Sequence, residues 1–277
     1  MRYCEPVIQS RQNEKVTALC KLKDKKYRDE SGLFRFDGIK LLREALSKDV
    51  TVRSLFVRQG TELPPDVDGK LEQKGIRTYV LSSDLFDRIS DEKAPEGVIT
   101  TAEYIDNRIN RAIIKEEEKI QEALSGRSPD APILLLESIQ DPLNFGALIR
   151  SAVAFGAALV VTDDASADPY HPKALRASMG AMFSIPIVRV SALAEAVRIL
   201  TRSRRVFAAA LDEKAKELGS FERLPGDSLI IGNEGHGLSA DVLDAASETL
   251  LIPMSGETES LNASVAGGIL LWEFRRR

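Results

Sequence analysis

Ile133-Leu134-Leu135-Leu136 is a short apolar run that turns polar at Glu137-Ser138 and leads into a helical pattern over residues 145–155. An apolar run of this length without alternation is typical of a strand buried on both faces of a sheet. Similar runs recur along the chain, and helical patterns separate them over residues 172–181, 193–200, 239–245 and 261–274. The predicted strands cover residues 133–137, 158–162, 185–190, 205–211, 228–232 and 249–252. This alternation predicts an α/β fold with a parallel sheet covered by helices on both faces.

The front of the chain has a different pattern, in which short helices and strands are mixed. Helices are predicted over residues 13–21 and 39–46, and strands over residues 33–36, 52–57, 77–81 and 97–101. A charged helical pattern over residues 107–124 ends in a turn-rich stretch of Ser, Gly and Pro, residues 125–132. We therefore predict a small α/β domain at residues 1–106, a helix and linker at 107–130, and a parallel-sheet domain at 131–277.

The composition, 43% hydrophobic and 29% charged residues, is that of an ordinary globular protein. Apolar stretches fall short of the roughly 20 residues that cross a bilayer, and residues 1–10 lack the apolar centre of a signal peptide. A cytoplasmic location is therefore expected. Cys4 and Cys20 do not make a disulfide framework, and we expect two reduced thiols. Because the chain adds only His171 and His236 to these cysteines, no metal site is expected.

The charge is unevenly distributed along the chain. Residues 1–60 contain 14 Lys and Arg against 8 Asp and Glu, a balance of 14 − 8 = +6, within a chain whose formal net charge is −4. The remainder therefore sums to −4 − 6 = −10. A basic front region is consistent with binding a polyanion, and equally with a solvated helix face.

Three polar or glycine-rich segments follow predicted strands, at the edge of a parallel sheet where ligands bind. They cover residues 137–150, 231–239 and 252–264. Asn144 is a candidate cap for the helix of the first segment. In the second segment, Gly235 is expected to need a conformation closed to β-branched residues. Each segment taken alone also fits the ordinary turns of an α/β fold. The glycine patterns of dinucleotide-binding sites and P-loops are absent from the sequence, which argues against a nucleotide-dependent oxidoreductase.

Four pieces of these segments occur in a fixed order. They are Asn144-x-Gly146-Ala147-x-x-Arg150, Gly232-Asn233-Glu234-Gly235-x-Gly237-Leu238-Ser239, Ile252-Pro253-Met254 and Ser260-Leu261-Asn262. In this order they resemble the three motifs of the SpoU (TrmH-like) RNA 2′-O-methyltransferases of the SPOUT superfamily. The resemblance covers about residues 131–277. In the front block, Ser10-x-x-Asn13, Lys26-Tyr27-Arg28 and Pro95-Glu96-Gly97-Val98 resemble the small RNA-binding α/β domain that often precedes such an enzyme.

The resemblance implies a fold, a cofactor and a site. The sheet domain is expected to contain a trefoil knot, an exception to the usual rules of chain connection, and to work as a homodimer with the active site near the interface. S-adenosyl-L-methionine is the implied cofactor, with contacts at Gly232, Ile252 and Leu261, and at Leu211 as a weaker candidate. The implied catalytic set is Asn144, Arg150, Glu234, Ser260 and Asn262.

The reaction implied is methyl transfer to a ribose 2′-hydroxyl of structured RNA. Family resemblance gives Arg150 the role of activating the hydroxyl, but a guanidinium is effectively always protonated and is a poor base. We expect Arg150 to bind the adjacent phosphate and orient the hydroxyl, with Glu234 holding Arg150 or ordering the knot. Candidates for RNA contacts in the front domain are Lys25, Lys26, Tyr27, Arg28 and Arg35, whereas Phe34 is at least as well explained by a core role.

Two questions stay open at this point. Ribosomal RNA is the preferred substrate and transfer RNA the second, and the sequence does not identify the nucleotide. A non-catalytic RNA-binding ribosome-assembly factor on the same fold is the alternative function. The presence of Asn144, Arg150, Glu234 and Asn262 argues against it, since a lost activity tends to leave gaps in such a set.

Overall fold

A computed structural model describes residues 6–48, 50–105, 115–212, 215–255 and 260–275. Its strands form two sheets, one of four strands and one of seven. Strands of the first sheet lie before residue 107 and strands of the second after residue 130, and in the described ranges none pairs across this division. We keep 1–106, 107–130 and 131–277 as proposed domain limits on this basis.

The first sheet is mixed, with spatial order β1-β4-β2-β3. The strands, numbered along the chain, are β1 Leu33–Asp37, β2 Val52–Arg58, β3 Arg77–Leu81 and β4 Val98–Glu103. Antiparallel β4 lies between β1 and β2, and β3 runs parallel to β2 at the edge. The helices of this domain are α1 Glu14–Lys21, α2 Lys25–Ser31, α3 Ile39–Ser47, α4 Pro65–Gln73 and α5 Ser83–Ile89.

The second sheet is parallel throughout, with spatial order β7-β6-β5-β10-β8-β11-β9. Its strands are β5 Ile133–Leu136, β6 Leu159–Asp163, β7 Ile187–Val190, β8 Val206–Ala209, β9 Lys216–Glu217, β10 Ser228–Ile231 and β11 Glu248–Leu251. The helices are α6 Glu116–Leu124, α7 Pro142–Ala154, α8 Pro172–Ser178, α9 Leu193–Thr201, α10 Ala240–Ala245 and α11 Ala263–Arg275, with a 3₁₀ turn at Ala181–Phe183.

Both faces of this sheet are buried, which explains the unbroken apolar runs of its strands. In β5, Leu134 and Leu136 pack on one face with side chains of α7, α8 and α11. Ile133 and Leu135 pack on the other face with side chains of α6, α9 and α10. The predicted α/β class, with helices on both faces of a parallel sheet, is confirmed.

The two domains share one hydrophobic core. Phe34 and Phe36 of β1 belong to the same buried cluster as Tyr170 and Phe183 of the second domain. The ring of Tyr104 stacks on that of Tyr170, with centroids 4.1 Å apart and planes 7° from parallel. The front domain is therefore packed firmly against α8 and the 3₁₀ turn of the sheet domain.

Two predicted RNA contacts are wrong, because their side chains are buried. Arg28 is 2% exposed, and its guanidinium pairs with Asp168 of the sheet domain at 2.5 Å. Arg35 is 1% exposed and donates to Asp37 at 2.9 Å. The basic run of the sequence therefore contributes partly to domain packing. Phe34 is fully buried, as its core interpretation requires.

Most predicted elements of both domains are present, with ends shifted by a few residues. Helices α2, α4 and α5 were not predicted from the sequence. Of the helix predicted over residues 107–124, residues 107–114 lie outside the described residues, and the later part is present as α6. Of the two cysteines, Cys20 is a free thiol, and Cys4 lies outside the described ranges. No helix in the described ranges is long and apolar enough to span a membrane.

Candidate active site

The candidate site lies where neighbouring parallel strands end. Strands β6, β5, β10, β8 and β11 are adjacent in this order. Since they are parallel, the segments that follow them emerge at one edge of the sheet. The three polar segments of the sequence are the ones that follow β5, β10 and β11.

Asn144, Glu234 and Asn262 meet there, each from a different segment. The side-chain amide of Asn144 donates from Nδ2 to Oε1 of Glu234 at 2.6 Å. Its Oδ1 accepts from Nδ2 of Asn262 at 3.0 Å. Three members of the predicted catalytic set thus form one hydrogen-bonded chain.

Asn144 was predicted to cap α7, but a different residue does so. Asp141 caps α7, since its Oδ1 accepts from the backbone N–H of Leu143 at 3.0 Å, and Asn144 lies inside the first turn. The predicted capping role of Asn144 is therefore wrong, and its amide is free to face the site. Asn262 caps α11 instead, with Oδ1 accepting from the backbone of Ser264 at 3.0 Å.

The loop after β10, residues 232–239, is closed on itself. The backbones of Asn233 and Gly237 exchange two hydrogen bonds, at 3.1 and 2.9 Å. Oδ1 of Asn233 accepts from the N–H groups of Gly235 and His236 at 2.8 and 3.1 Å. Asn233 thus orders the loop that carries Glu234. This role was not predicted from the sequence, although Asn233 belongs to the motif at residues 232–239.

Gly232 and Gly237 are the glycines this loop requires. A Cβ on Gly232 would lie 2.6 Å from the carbonyl carbon of Gly237, and Gly237 has φ +68°. Gly235 has no positive φ, and its Cβ would meet Oδ1 of Asn233 at 3.4 Å. The expectation that Gly235 needs a special backbone conformation is wrong.

A second network ties this loop to β5 and β6. Nδ2 of Asn233 donates to the carbonyl of Ser138 at 2.8 Å. Ser138 has φ +54°, and both its N–H and its hydroxyl donate to Asp163 at 3.0 Å. Glu137 accepts from the hydroxyl of Ser239 at 2.6 Å and from its N–H at 2.9 Å. These carboxylates fix the strand ends, and residue spacing alone gave no signal of the pairs.

The predicted cofactor residues lie along the same edge. Leu211, Gly232 and Ile252 follow β8, β10 and β11, which are neighbours in the sheet. Leu261 immediately precedes Asn262, whose side chain reaches Asn144. Leu211 is 69% exposed, an unusual state for a leucine at a strand end. Aliphatic walls beside strand-end backbone groups fit a flat adenine ring with a polar edge.

Arg150 and Ser260 stand apart from this chain of hydrogen bonds. Both are exposed. Arg150 is six residues beyond Asn144 in α7, which places it about 9 Å farther along the helix axis. Within the described ranges Arg150 has no ion pair, and Glu234 bonds to Asn144. The predicted Arg150–Glu234 contact is not formed in this part of the structure.

Residues 131–272 match the model of the SpoU rRNA Methylase family. The chain belongs to the SpoU rRNA methylase family. Residues 13–100 match the MRM3-like substrate binding domain. The front domain of this SpoU protein is thereby identified as a substrate-binding module.

Similar proteins span nearly the whole length of this SpoU chain. A 23S rRNA (guanosine(2553)-2′-O)-methyltransferase of Bacillus subtilis is 31% identical over 97% of this chain and 98% of its own. An AdoMet-bound rRNA methyltransferase from Sinorhizobium meliloti has a TM-score of 0.81 at 25% identity, covering 98% and 97%. The SpoU methyltransferase AviRb from Streptomyces viridochromogenes, in complex with AdoMet, has a TM-score of 0.78 at 26% identity, covering 95% and 97%.

These matches confirm the predicted class of enzyme, an RNA 2′-O-methyltransferase dependent on S-adenosylmethionine. The described residues of this SpoU protein contain no cluster of three or more His, Cys, Asp or Glu side chains that could hold a metal ion.

Proposed function

We propose that this protein methylates a ribose 2′-hydroxyl of ribosomal RNA of the large subunit, with the site at the ends of β5, β10 and β11. The hydrogen-bonded chain Glu234–Asn144–Asn262 carries the proposal, because it unites the three family motifs at one point. The name of the Bacillus subtilis relative supports 23S rRNA as substrate. Transfer RNA is the second candidate. A ribosomal RNA substrate also supports a cytoplasmic location for the protein.

When bound, S-adenosylmethionine supplies a methyl group on a positively charged sulfur. We assign its contacts to Gly232, Ile252 and Leu261, with Leu211 as a fourth. The exposed leucine and the glycine-dependent closure of loop 232–239 support this assignment. Apolar side chains would cover the adenine faces while backbone groups bond its edge.

The chain's own residues have to place the 2′-hydroxyl in line with the methyl group and accommodate its proton. We assign to Arg150 the binding of the phosphate beside the target ribose, since its exposed guanidinium is free of described ion pairs. A planar fork of N–H donors matches phosphate oxygens. Asn144 and Ser260 would hold the nucleotide, and Glu234 and Asn262 act as positioning residues through Asn144.

We further propose that the chain is knotted around the site. The support is the path after β11. Strand β11 is separated from β10 by β8. The later helix α11 nevertheless lies against β10 and α7, since Gly267 packs on Ile231 of β10 and on Leu148 of α7. Because β8 lies between β11 and β10, the chain has to pass back across the sheet to bring α11 against β10 and α7, and such a return crossing supports a knot.

The proposed homodimer would form through α7 and α11. Val265, Ile269 and Trp272 lie on one face of α11 and are 50%, 37% and 50% exposed. Leu143 of α7 is 52% exposed. Leu143 and Arg150 are seven residues apart and share one side of α7. A second copy covering this face would therefore lie beside Arg150.

Sedimentation of Trp272→Asp tests the dimer, with Leu224→Asp as control, since Leu224 is also 50% exposed but lies outside both helices. We expect monomers for Trp272→Asp and dimers for Leu224→Asp. A monomeric parent protein, or a dimer that tolerates Trp272→Asp, would contradict this interface.

Ribose-methylation mapping of total RNA from a deletion strain tests the function. We expect one 2′-O-methyl group to disappear from 23S rRNA and to return with the parent gene but not with Arg150→Ala. Loss from transfer RNA would correct the substrate. An unchanged map with defective ribosome assembly would favour the non-catalytic alternative.

A further inference from the structure

A cleft of about 480 Å³ opens on the front domain, away from the methyl-transfer site. It lies between α1, α2 and the end of the four-stranded sheet, where Ser54 pairs with Thr101 on one side and Arg77 on the other. The remainder of this sheet face is covered, since Phe56 and Tyr79 pack against α1 and α5. The opposite face is buried against the core that the two domains share.

The cleft is strongly positive. Four cationic side chains line the cleft, those of Lys15, Lys21, Arg53 and Arg77. One carboxylate, that of Glu30, also lines it. All four cations are exposed. Arg53 pairs with Glu103, whereas Lys15, Lys21 and Arg77 have no ion pair in the described part of the chain. These three charges are available to a polyanion; Lys15 and Lys21 belong to α1, and Arg77 begins β3.

The floor and wall of the cleft carry an aromatic ring and two hydroxyl groups. Tyr27 of α2 is 37% exposed, and Lys21 Nζ lies 5.2 Å from the centre of its ring. Phe56 and Tyr79 also line the cleft, but both side chains are buried, so Tyr27 is its exposed aromatic ring. Ser54 Oγ and Thr101 Oγ1, 2.7 Å apart, add hydroxyl groups that both donate and accept hydrogen bonds. Aromatic surface, hydroxyls and cations thus converge on one cavity.

We infer that this cleft binds an unpaired nucleotide of the substrate RNA, with its base against Tyr27 and its phosphates at Lys15, Lys21 and Arg77. The inference rests on the proposed function, which supplies RNA as the partner. The volume of the cleft lies within the range of about 300–1,000 Å³ that small-molecule sites occupy. That size suits one or two nucleotides and excludes a duplex. Single-stranded bases are the ones that stack on aromatic side chains.

The site would anchor the RNA at a second point. Since the two domains share a core, a nucleotide held in the cleft stands at a fixed position relative to the methyl-transfer site. The enzyme would then select RNA whose unpaired nucleotide and target ribose match that separation. Selection by geometry requires no reading of the sequence between the two points.

Binding measurements on full-length variants test the inference, because deleting either domain would expose the shared core. Lys15→Gln/Arg77→Gln removes two charges of the cleft. Lys40→Gln/Lys48→Gln, on and just after α3 at the other face of the sheet, is the matched control. We expect the cleft variant to bind 23S rRNA fragments about tenfold more weakly and to reduce the salt slope by roughly 2, one for each phosphate contact. The control should stay near the parent.

The aromatic contact is tested by Tyr27→Ala and Tyr27→Phe. Loss of a stacked base costs about fivefold or more in affinity, and phenylalanine should restore most of it because the ring is kept. Affinity for S-adenosylhomocysteine should be unchanged in every cleft variant, because the cleft lies apart from the proposed cofactor site. Photo-crosslinking with 4-thiouridine-substituted RNA should join an unpaired nucleotide to a peptide that lines the cleft.

Cleft variants that match the control, together with crosslinks elsewhere, would overturn this inference while methyl transfer continued. If the parent protein methylates no RNA, the proposed function fails, whatever the cleft variants do. If it binds RNA through the cleft without methylating it, the cleft inference stands alone.

Discussion

Asn144 and Glu234 are 90 positions apart in the chain, and their side chains are joined by a hydrogen bond of 2.6 Å. A carboxylate only accepts hydrogen bonds, so it must face the NH₂ group of the amide. Asn262 donates to the other end of the same amide at 3.0 Å. The orientation of Asn144 is therefore determined from both sides, by residues of the other two motifs.

Replacing Glu234 with Ala should release this amide. We expect kcat to fall about tenfold or more, as for a reacting group that is no longer held in place, with RNA KM and S-adenosylhomocysteine affinity near those of the parent. Glu234→Gln keeps an acceptor oxygen and should recover part of the rate. Asp241→Ala removes another exposed acid just beyond the loop and serves as control. Equal losses in Glu234→Ala and Asp241→Ala would show that the hydrogen bond has no positioning role.

Two glycines of the same loop should respond differently to alanine. Gly232→Ala places a Cβ 2.6 Å from backbone atoms of Gly237, which cannot move without opening the loop. Gly235→Ala meets only the side chain of Asn233, at 3.4 Å. We expect calorimetry to give at least tenfold weaker S-adenosylhomocysteine binding for Gly232→Ala and nearly unchanged binding for Gly235→Ala. The reverse order would remove loop closure from the explanation of cofactor binding.

Sequence patterns predicted the sheet domain well because both faces of its strands are buried. A run such as Leu134–Leu136 has little alternative to a central strand, and the motif order locates the site along the strand ends. Short amphipathic helices at the surface gave weaker signals, so α2, α4 and α5 were missed. The helix α4 even contains Gly69 in its interior, which lowers its helical signal.

The sequence did not allow us to predict which side chains pair with each other in the folded protein. Arg28 and Arg35 stand in or near a basic run, and only the fold reveals that Asp168 and Asp37 neutralise them. Asp168 is 140 positions from Arg28, so no local pattern links them. In the same way Asp141 was as good a cap as Asn144 by residue type, and the start of α7 at Pro142 decided between them.

The Arg28–Asp168 pair should contribute to holding the domains together. Both side chains are buried, at 2% and 7% exposure, so Asp168→Ala would leave a buried guanidinium without its carboxylate. Such a loss costs on the order of 3–5 kcal/mol. Urea denaturation of Asp168→Ala should show a drop of this size, against a small change in Asp164→Ala, whose carboxylate is 66% exposed beside Arg189. Similar midpoints for both variants would exclude the pair as a main domain contact.

His171 should make stability depend on pH. Its Nδ1 accepts from the backbone of Lys173 at 3.1 Å and so caps α8. Burial lowers the pKa of His171 below its usual 6.5, and the charge of Arg28 lowers it further, with Lys173 and Arg176 acting in the same direction and Asp168 opposing them. Since the unfolded chain then binds a proton more readily, the contribution of neutral His171 is complete above about pH 6.5 and declines as the pH falls below it.

His171→Asn keeps a capping oxygen but does not titrate in this range. Thermal unfolding at pH 7.5 and 5.5 should show a smaller loss of melting temperature in His171→Asn than in the parent. His236→Asn, which replaces an exposed histidine, is the matched control. If the parent and His171→Asn lose equal stability on acidification, His171 does not carry the effect.

Arg150 offers the sharpest separation of chemistry from structure. Its side chain is exposed and has no ion pair in the described ranges, so folding does not depend on it there. Arg150→Ala should therefore keep the melting temperature and the affinity for S-adenosylhomocysteine of the parent. Turnover should fall by a factor on the order of 100 or more, because an oriented group at a reacting centre is lost. Arg127→Ala, at an exposed arginine of the linker, is the control.

Arg150→Lys then decides how Arg150 acts. Lysine keeps the positive charge but lacks the planar pair of donors that matches two phosphate oxygens. If charge alone holds the phosphate, lysine should restore most of the turnover and leave RNA KM close to that of the parent. If the fork also orients the 2′-hydroxyl, lysine should restore RNA affinity but not kcat. Because a guanidinium stays protonated across the accessible range, neither outcome should shift the pH profile of kcat. A profile that loses an ionisation in Arg150→Ala would instead assign Arg150 to proton transfer. A melting temperature that falls together with activity would make Arg150 a structural residue.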